Sequence, residues 1–120
     1  MGMFALAVSP DDPLHVYAGI GSQVVESRDG GQTWQAQPGP TGTILTVAAA
    51  ATEPATLYAG TDQGVFKRAA DNTWQRLPVE PDGAVLALAI SPTEPERLAV
   101  VDQEGNFYRS DNGGQTWASD

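Results

Sequence analysis

Short apolar stretches broken by turn residues run the length of the chain, and three of them align. The first reads FALAVSPDDPLHVYAG from Phe4, the second ILTVAAAATEPATLYAG from Ile44 and the third VLALAISPTEPERLAVV from Val85. Pro13, Pro54 and Pro95 stand 41 residues apart each time, as do Val16, Leu57 and Leu98. A tryptophan follows later in each segment, at Trp34, Trp74 and Trp117, with spacings of 40 and 43. Self-similarity at a period of about forty residues marks stacked supersecondary units and takes precedence over any local reading.

Within one unit the pattern predicts four short strands. In the third unit they are Val85–Ile90, then Arg97–Val101 after a proline turn, then Asn106–Arg109, and a fourth beginning at Thr116 and Trp117. Prolines fall only in the turns, because within a ladder they would remove a backbone donor. The first strand of each unit is rich in Ala, Val and Leu, as in Ala5, Leu6, Ala7 and Val8, which predicts a strand buried on both faces in a crowded centre. Helix is the competing reading for Val47–Ala51, but the matching stretches are Leu- and Val-rich and end at a proline turn. The expected fold class is all-β, with three four-stranded antiparallel units at 4–43, 44–84 and 85–120 of one domain.

Charge and composition narrow the classes of partner. Six Lys and Arg against fifteen Asp and Glu give a net charge of −9, which repels phosphate backbones and anionic headgroups. Neither nucleic acid nor a membrane surface is an expected partner. With no cysteine, packing alone must hold the fold, and the compartment stays open. The apolar run at residues 3–8 is short, lacks a basic flank and precedes Asp11 and Asp12, so no signal peptide or membrane span is expected. Gly2 lacks the Ser or Thr that a myristoylation site would place at Leu6.

The turn between the third and fourth strands is the most specific feature. Ser27-Arg28-Asp29-Gly30-Gly31-Gln32-Thr33-Trp34 resembles the Asp-box, or BNR, repeat, with the pattern Ser/Thr-x-Asp-x-Gly-x-Thr-Trp. Ser110, Gly114, Thr116 and Trp117 repeat it with Asn112 in place of the Asp, and a shortened middle copy keeps Asp71, Thr73 and Trp74. The resemblance runs from Phe4 to Trp117 and implies β-propeller blades like those of sialidases, Vps10 receptor domains, xyloglucan-degrading glycoside hydrolases and photosystem assembly factors of the Ycf48 type. It implies structural roles for Ser27, Asp29, Gly31, Thr33 and Trp34. The chemistry of the turn agrees: a short acceptor side chain binds the turn's own N–H groups, Gly allows positive φ, and Trp packs the loop down. One carboxylate beside two glycines falls far short of a calcium shell, so neither metal nor cofactor is expected.

Enzymatic readings find little support in the residues. The sialidase branch needs an arginine cluster, whereas Arg28, Arg68, Arg76, Arg97 and Arg109 fall mostly at outer-strand or turn positions that suit surface solvation. His15 is the only histidine, expected at the surface, and no Gly-x-Ser-x-Gly elbow surrounds a serine. Gly19-Ile20-Gly21 starts like a dinucleotide motif, but Val24 stands at the third glycine. In the larger hydrolase relatives the cleft lies between two propellers, more than this chain holds.

Three blades would leave apolar faces open at both ends of an arc. The expected partner is therefore the chain itself, as a homodimer of two times three blades or, next, a trimer. Met1-Gly2-Met3 and Ser119-Asp120 read as the ends of an excised or designed piece of a longer propeller, or of a short natural one. Any protein or glycan ligand is expected at the axial loops, where Asp62, Gln63, Asp102, Gln103 and Glu104 cluster.

Overall fold

In a computed structural model, residues 4–9, 12–40, 42–50, 56–69, 73–81, 83–91 and 93–119 are described. Phe4–Val8 (β1), Val16–Ile20 (β2), Gln23–Ser27 (β3) and Gln35–Gln37 (β4) form the first sheet. Ile44–Ala50 (β5), Thr56–Thr61 (β6), Gly64–Arg68 (β7) and Trp74–Arg76 (β8) form the second. Val85–Ile90 (β9), Leu98–Asp102 (β10), Phe107–Ser110 (β11) and Ala118–Ser119 (β12) form the third. Each sheet is an antiparallel meander in chain order. Among the described residues no helix is long and apolar enough to cross a membrane.

In the third sheet β9 has the predicted bounds, and the other three strands begin slightly later than the pattern predicts. Arg97 closes the preceding turn by donating its N–H to the Glu94 carbonyl at 2.9 Å, so β10 opens at Leu98. The Thr116 N–H is taken by Asn112 Oδ1 at 3.0 Å, so β12 opens at Ala118. In the second and third sheets the innermost strand carries an extra residue, Leu45 or Leu86, where the register shifts.

The sheets stack face to face through their innermost strands, β1, β5 and β9. One core joins Ala5, Tyr17 and Val24 of the first sheet to Ile44, Val47, Leu57 and Ala59 of the second. The other joins Ala50, Tyr58 and Val65 of the second sheet, with Leu77 and Val79 just after β8, to Val85, Leu98 and Val100 of the third. The contact is close because Gly19 and Gly60 carry no side chain. An ideal Cβ on Gly19 would lie 2.5 Å from Ile44 Cγ2, and one on Gly60 would lie 2.6 Å from Val85 Cγ1. Ile44 and Val85 are thereby wholly buried, each burial contributing about 1.5–3 kcal/mol.

The expectation that every innermost strand is buried on both faces needs correction. Leu6 and Val8 in β1 are 67% and 53% exposed, and Leu86 in β9 is 54% exposed. The same sequence type is covered twice only in the middle sheet, because only that sheet has two neighbours.

Candidate functional site

Four groups of residues could carry function: the turns after β3 and β11, the turns after β6 and β10, a charged cluster between the first two sheets, and the two outer faces. After β3, Asp29 Oδ1 accepts the N–H groups of Gln32 and Thr33 at 3.0 and 2.9 Å and the Ser27 hydroxyl at 2.8 Å. Asp29 Oδ2 accepts from the Thr33 hydroxyl, and these bonds hold the Asp29 carboxyl down at a pKa of about 2. Ser27 Oγ accepts the Gly31 N–H at 2.8 Å, and the Trp34 indole donates to the Gly31 carbonyl at 3.0 Å.

After β11 the same net forms around Asn112. Its Oδ1 accepts from Ser110 Oγ and from the Thr116 N–H, its Nδ2 donates to Thr116 Oγ1 at 2.7 Å, and Trp117 donates to the Gly114 carbonyl at 2.8 Å. Each turn is also tied to the turn after its own innermost strand, Gly30 N–H to the Leu14 carbonyl and Gly113 N–H to the Glu96 carbonyl. These nets leave the turn's polar groups facing one another. Asp71 lies outside the described residues. Thr73 accepts the Ala69 N–H through its carbonyl at 2.8 Å, and Trp74 donates instead to the Pro38 carbonyl in the link from the first sheet.

The residues expected at an axial opening take up distinct positions. Asp62 is exposed and its Oδ1 accepts the Thr43 N–H at 2.9 Å, while Gln103 Oε1 accepts the Ala84 N–H at 3.0 Å. Both clasp the start of their own sheet's innermost strand. Asp102 is 1% exposed, and its carboxylate accepts from the N–H groups of Glu104 and Asn106, from Asn106 Nδ2 and from the Tyr108 hydroxyl. Gln63 and Glu104 are exposed.

The charged cluster corrects two expectations. His15 is partly buried and hydrogen-bonded: its Nε2 meets Glu26 Oε2, and its ring lies 4.5 Å from that of Tyr17. Arg68, expected at the surface, is 9% exposed, because strand pairing sets it opposite Leu57 as Ser27 is set opposite Val16 and Ser110 opposite Leu98. It occupies the Ser position of the turn motif, one residue before the shortened middle copy that the sequence suggests. From there it crosses to the first sheet, with Nη1 4.0 Å from Glu26 Oε1 and the guanidinium 5.6 Å from the centre of the Tyr17 ring. Arg28 completes the group, 3.1 Å from Glu26 Oε2. Burial first, and then the Glu26 charge, push the Tyr17 phenol above its ordinary value. The signal available in the sequence was the alignment of Arg68 with Ser27 once strand ends are matched.

The outer faces carry exposed apolar side chains, and on the third sheet Arg97, Arg109 and Asp111 stand among them. On the first sheet Leu6, Val8 and Trp34 are exposed, Trp34 by 42%. On the third sheet a groove of about 390 Å³ is lined by Ala89, Ala99, Phe107 and Arg109 among others.

Three meandering four-stranded sheets, stacked through their first strands and each closing on a turn-and-tryptophan net, resemble known structures over nearly their whole length. The Niastella koreensis GH74 enzyme superposes with a TM-score of 0.77 at 19% identity, covering 96% of this chain and 22% of that one. An ancestral GH74 enzyme gives 0.82 at 17% identity, covering 95% and 17%. YCF48 from Cyanidioschyzon merolae gives 0.75 at 22% identity, covering 98% and 37%. The fold is that of β-propeller blades. Neither a protein-family model nor a curated protein sequence matches the chain. The three sheets are thus three blades, and they span about a fifth of the GH74 chains and less than half of YCF48.

Proposed function

We propose that the chain is a non-catalytic propeller scaffold, and that two copies complete a ring of six blades as a homodimer. The turns at 27–34 and 110–117 are Asp-boxes in this reading, acting as folding clips. Trp34 carries the proposal. Its counterparts Trp74 and Trp117 each pack onto the core shared with the preceding blade, whereas Trp34 is 42% exposed on a face with the same design. An apolar face of that kind needs a cover. A scaffold role is supported by the carboxylates of Glu26, Asp29 and Asp102, each engaged by internal partners.

Light scattering on a sizing column, over a dilution series, tests the closure. A mass near twice 12.6 kDa is expected. A concentration-independent monomer overturns it, and a trimer replaces six blades with nine. Release of reducing sugar from a β-glucan by the purified chain overturns the non-catalytic part.

A further inference from the structure

The outer face of the third blade differs from the two internal faces at matched positions. Strand pairing aligns the row Ala5, Gly19, Val24 with Thr46, Gly60, Val65 and with Ala87, Val101, Phe107. The glycine notch that receives Ile44 in one junction and Val85 in the other is filled on the third blade by Val101, beside the larger Phe107. One row away the change is opposite. Tyr17 and Tyr58, buried at the internal junctions, are matched by Ala99, and the groove of about 390 Å³ opens there. Bulk has moved from one row to the next, so a following blade meets a seat there that differs from the internal ones.

We infer that this face is a dedicated closing surface, and that the groove at Ala99 seats Trp34 from a second copy of the chain. The inference rests on the proposed closure and names its contact. Shape and charge both favour a second copy. Trp34 stands exposed on the opposite outer face, and the groove has room for an indole. At the internal junction Lys67 approaches Gly113, whose ideal Cβ would lie 3.4 Å from Nζ. The matching pair in the closing junction is Arg109 against Gly30, beside the Asp29 carboxylate. The first blade offers the Asp29 carboxylate at that position, where the third blade has neutral Asn112 with Asp111 beside it, so Arg109 meets a carboxylate at the motif position itself when the incoming blade is the first.

The test is the dilution midpoint of association for wild type, A99Y, W34A and the double variant, with thermal melts to confirm folding. Ala99 is partly buried and lines the open groove on the outer face, so A99Y is expected to keep its fold. Filling the groove is expected to weaken association by about a hundredfold. In the W34A background the same change is expected to have little further effect. If A99Y restores the regular tyrosine and association tightens or stays the same, or if the two effects simply add, the Trp34 seat is wrong while closure stands. If wild type and every variant are monomeric at all concentrations, closure itself fails and the seat fails with it. Should A99Y melt early, A99L carries the same comparison.

Discussion

The Trp74 indole donates its N–H to the Pro38 carbonyl at 2.9 Å, whereas Trp34 and Trp117 donate to glycines within their own turns. In the middle blade the turn is shortened, and its tryptophan ties the second blade to the link from the first. W74A removes both that bond and a half-buried indole, so it is expected to cost about 2–3 kcal/mol in urea unfolding. W34A, under dilution that keeps the chain monomeric, is expected to cost less than about 1 kcal/mol. Equal losses from the two would contradict the inter-blade role of Trp74.

Gly60 lies where the first residue of the third blade presses closest. G60A places a methyl group 2.6 Å from Val85 Cγ1, and overpacking of this kind is expected to cost about 1–3 kcal/mol. Gly21 has φ +62° and open space around it, so G21N is expected to cost a few tenths of that. Paired urea melts decide between a packing and a backbone origin.

Glu26 is 7% exposed and is the anion on which His15, Arg28 and Arg68 converge. E26Q leaves the Arg68 guanidinium buried without its counter-charge, and Nη1 already makes no hydrogen bond. The expected loss is about 3 kcal/mol, toward the low end for a buried pair because the gap is 4.0 Å. R68M removes the cation along with its need for a partner. In a double-mutant cycle, adding R68M to E26Q is therefore expected to recover part of the loss. Simple additivity would show that the two residues do not interact.

Asp29 sets an acid limit on the first blade. Its folded pKa, about 2, lies below the ordinary carboxyl value of 3.8, so its contribution is present above about pH 4 and is lost as pH falls toward 2. D29N converts the turn into the form that Asn112 adopts in the third blade. Thermal melts between pH 5 and 2 are expected to fall less steeply for D29N than for wild type. Parallel curves would show that the carboxylate is not responsible.

The repeat was legible because each strand and turn carries its own local chemistry. Prolines end the inner strands, and Asp29 or Asn112 organises a turn from residues within five positions. Those signals gave three four-stranded units, to within a residue or two at strand ends. Arg68 was misplaced because its environment, Glu26 and Tyr17, comes from another blade, and His15 because its partner Glu26 is brought to it by strand pairing within its own blade. Strand alternation says which face a side chain takes, and nothing about what covers that face.

The sequence by itself determined the number of strands, their order within each unit and the turn nets, since these depend on contacts between residues near one another in the chain. Tertiary structure decided burial and charge pairing. In β6, Leu57 to Thr61 are all buried, while in β10 burial alternates from Leu98 to Asp102, although both are the second strand of the same repeat. The first has a blade on each side and the second has one, and hydrophobic burial depends on what surface approaches a strand as much as on the residues it contains.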